Sequence, residues 1–95
     1  MKVIKIDVLK KHIKNGVPEQ ASFCMVALAM KDKGCSKVKV EETHTEFRRG
    51  KKFYCFCFPI EVRKLIQRFD DLSDDPIKRH KIKPFSFNLE LREVD

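Results

Sequence analysis

A chain of 95 residues and 11.2 kDa has room for one hydrophobic core, and residues 1–95 read as a single domain. With 42% hydrophobic residues, eight Phe, three Gly and four Pro, the composition excludes a disordered or fibrous chain. The 21 Lys and Arg outweigh 14 Asp and Glu to give a net charge of +7. That balance points to an anionic partner such as nucleic acid, a nucleotide or another phosphate-bearing ligand, although solubility alone also accounts for such a charge on a small protein.

Lys5, Asp7, Lys10 and Lys11 interrupt the first apolar stretch, so neither a signal-peptide core nor a transmembrane segment is expected, and a cytoplasmic location follows. Ile4, Ile6 and Val8 alternate with Lys5 and Asp7 as in a half-buried strand. Asp7 then reads as the N-cap of a short helix over 8–15, closed by a left-handed residue at Asn15-Gly16. A second helix is expected from Glu19 to Lys33, stopped by Gly34. Its middle, Phe23 to Met30, is apolar on all sides. One small sheet covers only one face of such a helix, so a further helix or a second copy should cover the other, and a homodimer or higher homo-oligomer is expected.

Residues 36–47 alternate weakly through Val38 and Val40, Arg48-Arg49-Gly50-Lys51-Lys52 forms a glycine-containing turn, and 53–58 return as a strand apolar on both faces. Pro59 opens a helix in which Val62, Leu65, Ile66, Phe69 and Leu72 form an apolar stripe, with Arg63, Lys64, Gln67 and Arg68 outside. Residues 70–83, acidic and then basic, read as an exposed charged loop, before a last strand in which Phe85, Phe87, Leu89 and Leu91 alternate with polar residues. The order β-α-α-β-β-α-β predicts an α+β fold, a small antiparallel or mixed sheet of about four strands packed by two main helices.

Catalytic motifs are hard to find. Gly16, Gly34 and Gly50 are isolated and form no phosphate loop. His12, His44 and His80 stand in no context that fixes one beside a thiol. Asp70-Asp71 and Asp74-Asp75 lie in a polar, Pro-containing stretch that suits solvation better than acid–base work. Cys55-x-Cys57 would set two thiols on one face of a strand, with Cys24, Cys35 or His44 available to complete a metal site. The pair nevertheless sits in a Phe-rich run without a CxxC knuckle, so reduced, buried thiols and no metal or other cofactor are expected. The protein is therefore read as a non-enzyme that binds.

The basic turn is the best binding candidate. Arg48, Arg49, Lys51 and Lys52 flank a glycine that allows close backbone approach, and Arg grips phosphate through two donors. Arg63, Lys64 and Arg68 form a second phosphate-binding cluster, and Tyr54 offers a ring for stacking on a base.

Three stretches, His12-Ile13-Lys14-Asn15-Gly16-Val17, Cys24-Met25-Val26-Ala27-Leu28-Ala29 and Pro84-Phe85-Ser86-Phe87, resemble a family of small phage and prophage proteins with the pattern HIxxGxxxxxxxCPxALA, a hairpin, a helix like Val62 to Asp70, and a terminal PFxF. Met25 stands where that pattern has proline, and the segment from Leu72 to Lys83 is longer than the family's step into PFxF. The resemblance implies a phage-type protein of the bacterial host cytoplasm. By analogy of size, charge and setting with phage anti-defence sponges, it implies sequestration of a small nucleotide immune signal, with phosphates held by the two basic clusters. The alternatives are a nucleic-acid-binding or regulatory module that uses the basic tip, and a protein-interaction inhibitor of a host enzyme that uses the 70–83 loop.

Overall fold

A computed structural model describes residues 2–72 and 81–93. The fold is α+β, in the order β1 (Val3–Val8), α1 (Lys10–Asn15), α2 (Met25–Asp32), β2 (Ser36–Val40), β3 (His44–Arg49), β4 (Lys52–Cys57), α3 (Ile60–Asp71) and β5 (Phe85–Glu90). The strands make two antiparallel sheets, β1–β5 and β2–β3–β4, in place of one sheet of about four strands. The expected strand over 36–47 is two strands, because the chain reverses at Glu41-Glu42-Thr43, where the Glu41 N–H donates to the His44 carbonyl at 2.8 Å. No helix among the described residues is long and apolar enough to cross a membrane.

The two sheets meet at one seam. Tyr54 and Glu93 form an isolated antiparallel bridge, the Cys55 N–H donates to the Arg92 carbonyl at 3.2 Å, and Phe87 of β5 packs against the rings of Phe56 and Phe58. Beneath the sheets, α2 is covered within one chain. Met25, Val26, Ala27, Ala29 and Met30 are buried against β2, α1 and β1, so the apolar helix does not by itself call for a second copy. On α3 the stripe lands as its spacing dictates, with Val62, Ile66 and Phe69 buried and Leu65 and Leu72 half-buried.

Several local expectations are corrected. Asp7 caps no helix: it stays in β1, opposite Ser86, whose hydroxyl donates to it at 2.7 Å. The N-cap of α1 is Leu9, whose N–H is accepted by the His12 Nδ1 at 2.9 Å. Because Nδ1 accepts, the proton lies on Nε2, which donates to Asp32 at 2.6 Å and ties α1 to α2. Gly16 is extended (φ −66°) rather than left-handed. It is small because a Cβ there would lie 2.6 Å from the Met25 backbone nitrogen. Helix α2 starts at Met25 rather than Glu19, since 17–24 fold into successive turns in which Val17 N–H donates to the Phe23 carbonyl and Phe23 N–H to that of Gln20. Of the expected 70–83 loop, Asp70 and Asp71 close α3, Ile82 is buried, and residues 73–80 lie outside the described residues.

Candidate functional site

The β2–β3–β4 sheet has one dry face and one open face. Val38, Val40, Thr45, Phe47 and Phe56 are buried beneath it, so period-two alternation turns Arg48, Glu46 and His44 of β3 outward with Phe53, Cys55 and Cys57 of β4. Strand β4, read from its sequence as apolar on both faces with buried thiols, turns one of those faces outward: Phe53 is 52% exposed, and Cys57 is exposed.

At the end of this face, β3 and β4 turn through Gly50 and Lys51. Gly50, with φ +64° and open space where a Cβ would stand, takes the left-handed first position of a two-residue hairpin loop. Arg48 donates its Nε–H to the Gly50 carbonyl at 2.9 Å and holds its guanidinium 5.7 Å from the Phe53 ring centroid. That geometry sets the charged group beside an exposed ring, within cation–π range. Lys51 is exposed. Two other tip cations have structural partners. Arg49 donates to the Lys33 carbonyl at 3.0 Å, closing the C-terminus of α2, where a cation is favoured. Lys52 pairs with Glu93 at 3.1 Å, and the hydrogen bond and charge of Glu93 raise its pKa. Lys33 and Lys37 lie at this same end, Lys33 through Arg49 and Lys37 next to Ser36, which pairs with Arg48.

The second basic cluster does not join the first. Arg63 donates its Nε–H to the Phe58 carbonyl at 2.8 Å, and Phe58 lies a strand length, about 20 Å, from Lys52. Lys64 and Arg68 follow on exposed turns of α3. Arg63 instead lines a groove of about 530 Å³ between β4 and the 88–93 segment, with Cys57, Pro59, Asn88 and Arg92. Tyr54 lies on the inner face, half-buried, with its ring stacked 5.5 Å from that of Phe47. The ring open to solvent beside the tip is Phe53.

The thiols also divide. Cys24 and Cys35 are buried, and burial pushes both up in pKa. Cys55 is half-buried and Cys57 exposed. Burial, with help from Cys57 and Glu46, raises Cys55. The hairpin register sets His44 directly opposite Cys57, a juxtaposition that sequence context did not reveal. The signal was the two-residue turn itself, since fixing it at Gly50-Lys51 makes positions equidistant from it face one another.

Comparisons with protein-family models, with curated proteins and with solved structures return no match.

Proposed function

We propose that this protein binds phosphate-bearing ligands without transforming them, and that its ligand is single-stranded nucleic acid laid across the tip and the open face of the β2–β3–β4 sheet. The observation that carries this reading is the exposed Phe53 ring with the Arg48 guanidinium beside it and Lys51 at the adjacent turn. An aromatic platform next to cations holds one base by its π-face and the neighbouring phosphates by charge, without needing an enclosed pocket. An open strand-and-turn surface suits an extended polymer better than a small molecule, which gains affinity from concave enclosure.

The test is fluorescence anisotropy with a short labelled single strand. Phe53→Ala should weaken binding about tenfold, corresponding to one lost stacking contact of about 1–3 kcal/mol. Replacing Arg48 and Lys51 together by Glu should weaken it further, while circular dichroism stays unchanged. Equal affinity of all three proteins would overturn the reading.

The groove favours a second reading. Its volume of about 530 Å³ and its Arg63 suit a small nucleotide with Arg63 as the phosphate contact, while Arg92 on the same wall is paired with Glu90 at 3.5 Å. Sequestration of a nucleotide immune signal by a phage-type homodimer is the form of this reading that the family resemblance supports. Calorimetry with cyclic oligonucleotides would then show binding that Arg63→Ala abolishes and the Arg48, Lys51 variant keeps.

A further inference from the structure

The open face holds a second set of chemically matched side chains beyond the tip. His44 and Glu46 lie two apart on β3, Cys55 and Cys57 two apart on β4, and the register pairs His44 with Cys57 and Glu46 with Cys55. Cys55 directs its N–H away from β3, to the Arg92 carbonyl. Glu46–Cys55 is therefore a non-hydrogen-bonded pair, and so is His44–Cys57 two residues on. In such pairs the Cα atoms are only about 4.5 Å apart and the side chains approach most closely. The four side chains thus rise from the corners of a small rectangle on one exposed surface, about 5 by 7 Å.

We propose that His44, Glu46, Cys55 and Cys57 form a binding site for a thiophilic d10 metal ion such as zinc. Two thiolates, an imidazole and a carboxylate form a donor set that tetrahedral zinc accepts, with bonds of about 2.3 Å to sulfur and about 2.0–2.2 Å to nitrogen and oxygen. The imidazole is already oriented. His44 Nδ1 lies 3.2 Å from the Thr43 hydroxyl, the outer partner that metal-binding histidines use to fix ring and tautomer. Its Nε2 lies 4.0 Å from Glu46 Oε1, wider than the roughly 3.3 Å between two such ligands on a tetrahedral ion, so the two side chains must draw together to share one. As the side chains stand, no group of three or more His, Cys, Asp or Glu among the described residues is placed to hold a metal ion. Closure requires side-chain rotation at solvent-accessible positions, over a backbone that the β3–β4 ladder holds fixed. Strand burial, the reason for reading these cysteines as inert, does not apply to Cys57, which is exposed. Cys24 and Cys35 are buried in the core and take no part.

The experiment is titration of the full, reduced protein with cobalt(II), followed by zinc competition against a chromophoric chelator. One equivalent of cobalt should give thiolate-to-metal charge-transfer absorption and the intense visible bands of tetrahedral coordination, and zinc should displace it. Cys57→Ser and His44→Ala, both at solvent-accessible positions, should each lower zinc affinity more than about a hundredfold while circular dichroism stays native. Thr43→Val should lower it about tenfold, and Glu42→Gln should leave it unchanged. A pale octahedral cobalt spectrum, or zinc affinity retained in Cys57→Ser, would overturn the proposal.

Discussion

The two faces of the β2–β3–β4 sheet share one backbone and differ in almost everything else. On the inner face Val38, Thr45, Phe47 and Phe56 are buried, and even the buried polar side chain among them is satisfied, with the Thr45 hydroxyl donating to the Lys39 carbonyl at 3.0 Å. The outer face carries Arg48, Phe53, Glu46, Cys55, His44 and Cys57 in opposed pairs, a mixture of cation, ring, carboxylate, imidazole and thiol that packing does not require. What differs is the constraint. The inner residues are fixed by volume, so their identity says little about function, whereas those on the open face are free to be chosen for binding.

Truncating one ring on each face should separate the two most strongly. Phe47→Ala, at a side chain only 1% exposed, should cost about 3–5 kcal/mol in urea unfolding. Phe53→Ala should stay within about 0.5 kcal/mol of wild type. Equal costs would mean that the outer face is packed against something. A polar pair gives a smaller contrast: Thr45→Val should cost about 1 kcal/mol through the lost hydrogen bond to the Lys39 carbonyl, and Glu46→Gln almost nothing.

The smallest effect is in acid. Asp7 is held below its ordinary value of 3.8 by the Ser86 hydrogen bond and by Lys5 and Lys33, and Asp32 by hydrogen bonds from His12 and Lys11. A carboxylate depressed in the folded state contributes stability above its unfolded pKa and loses it as pH falls through the folded one. Stability should therefore decline slightly below pH 4, roughly the unfolded carboxylate range, and Asp7→Asn should flatten that decline, as thermal melts across acidic buffers would show.

Much of the architecture is legible in residue patterns. The Val62–Leu72 stripe, the Phe85–Leu89 alternation and the Gly50 hairpin each rest on a local rule that the fold obeys. The β2–β3 reversal is not legible, because Glu41-Glu42-Thr43 carries none of the Gly, Pro or Asn that mark turns. Nor is the inner side of β4, where Phe, Tyr and Cys on both faces erase the period-two contrast. Tyr54 rather than Phe53 was expected to be the stacking ring for that reason. The tip cations stand out as a charge run. Their separation from Arg63, Lys64 and Arg68, and the structural engagement of Arg49 and Lys52, depend on tertiary geometry.

The most direct test of polymer binding at the tip is the salt dependence of single-strand affinity. Arg48, Lys51 and one or two neighbouring lysines on three or four phosphates predict a slope of about −2 to −3 in log K against log salt concentration, reduced toward zero when Arg48 and Lys51 are replaced. A slope near zero in the wild type, or one that survives those replacements, would contradict the account and shift the ligand to the Arg63 groove.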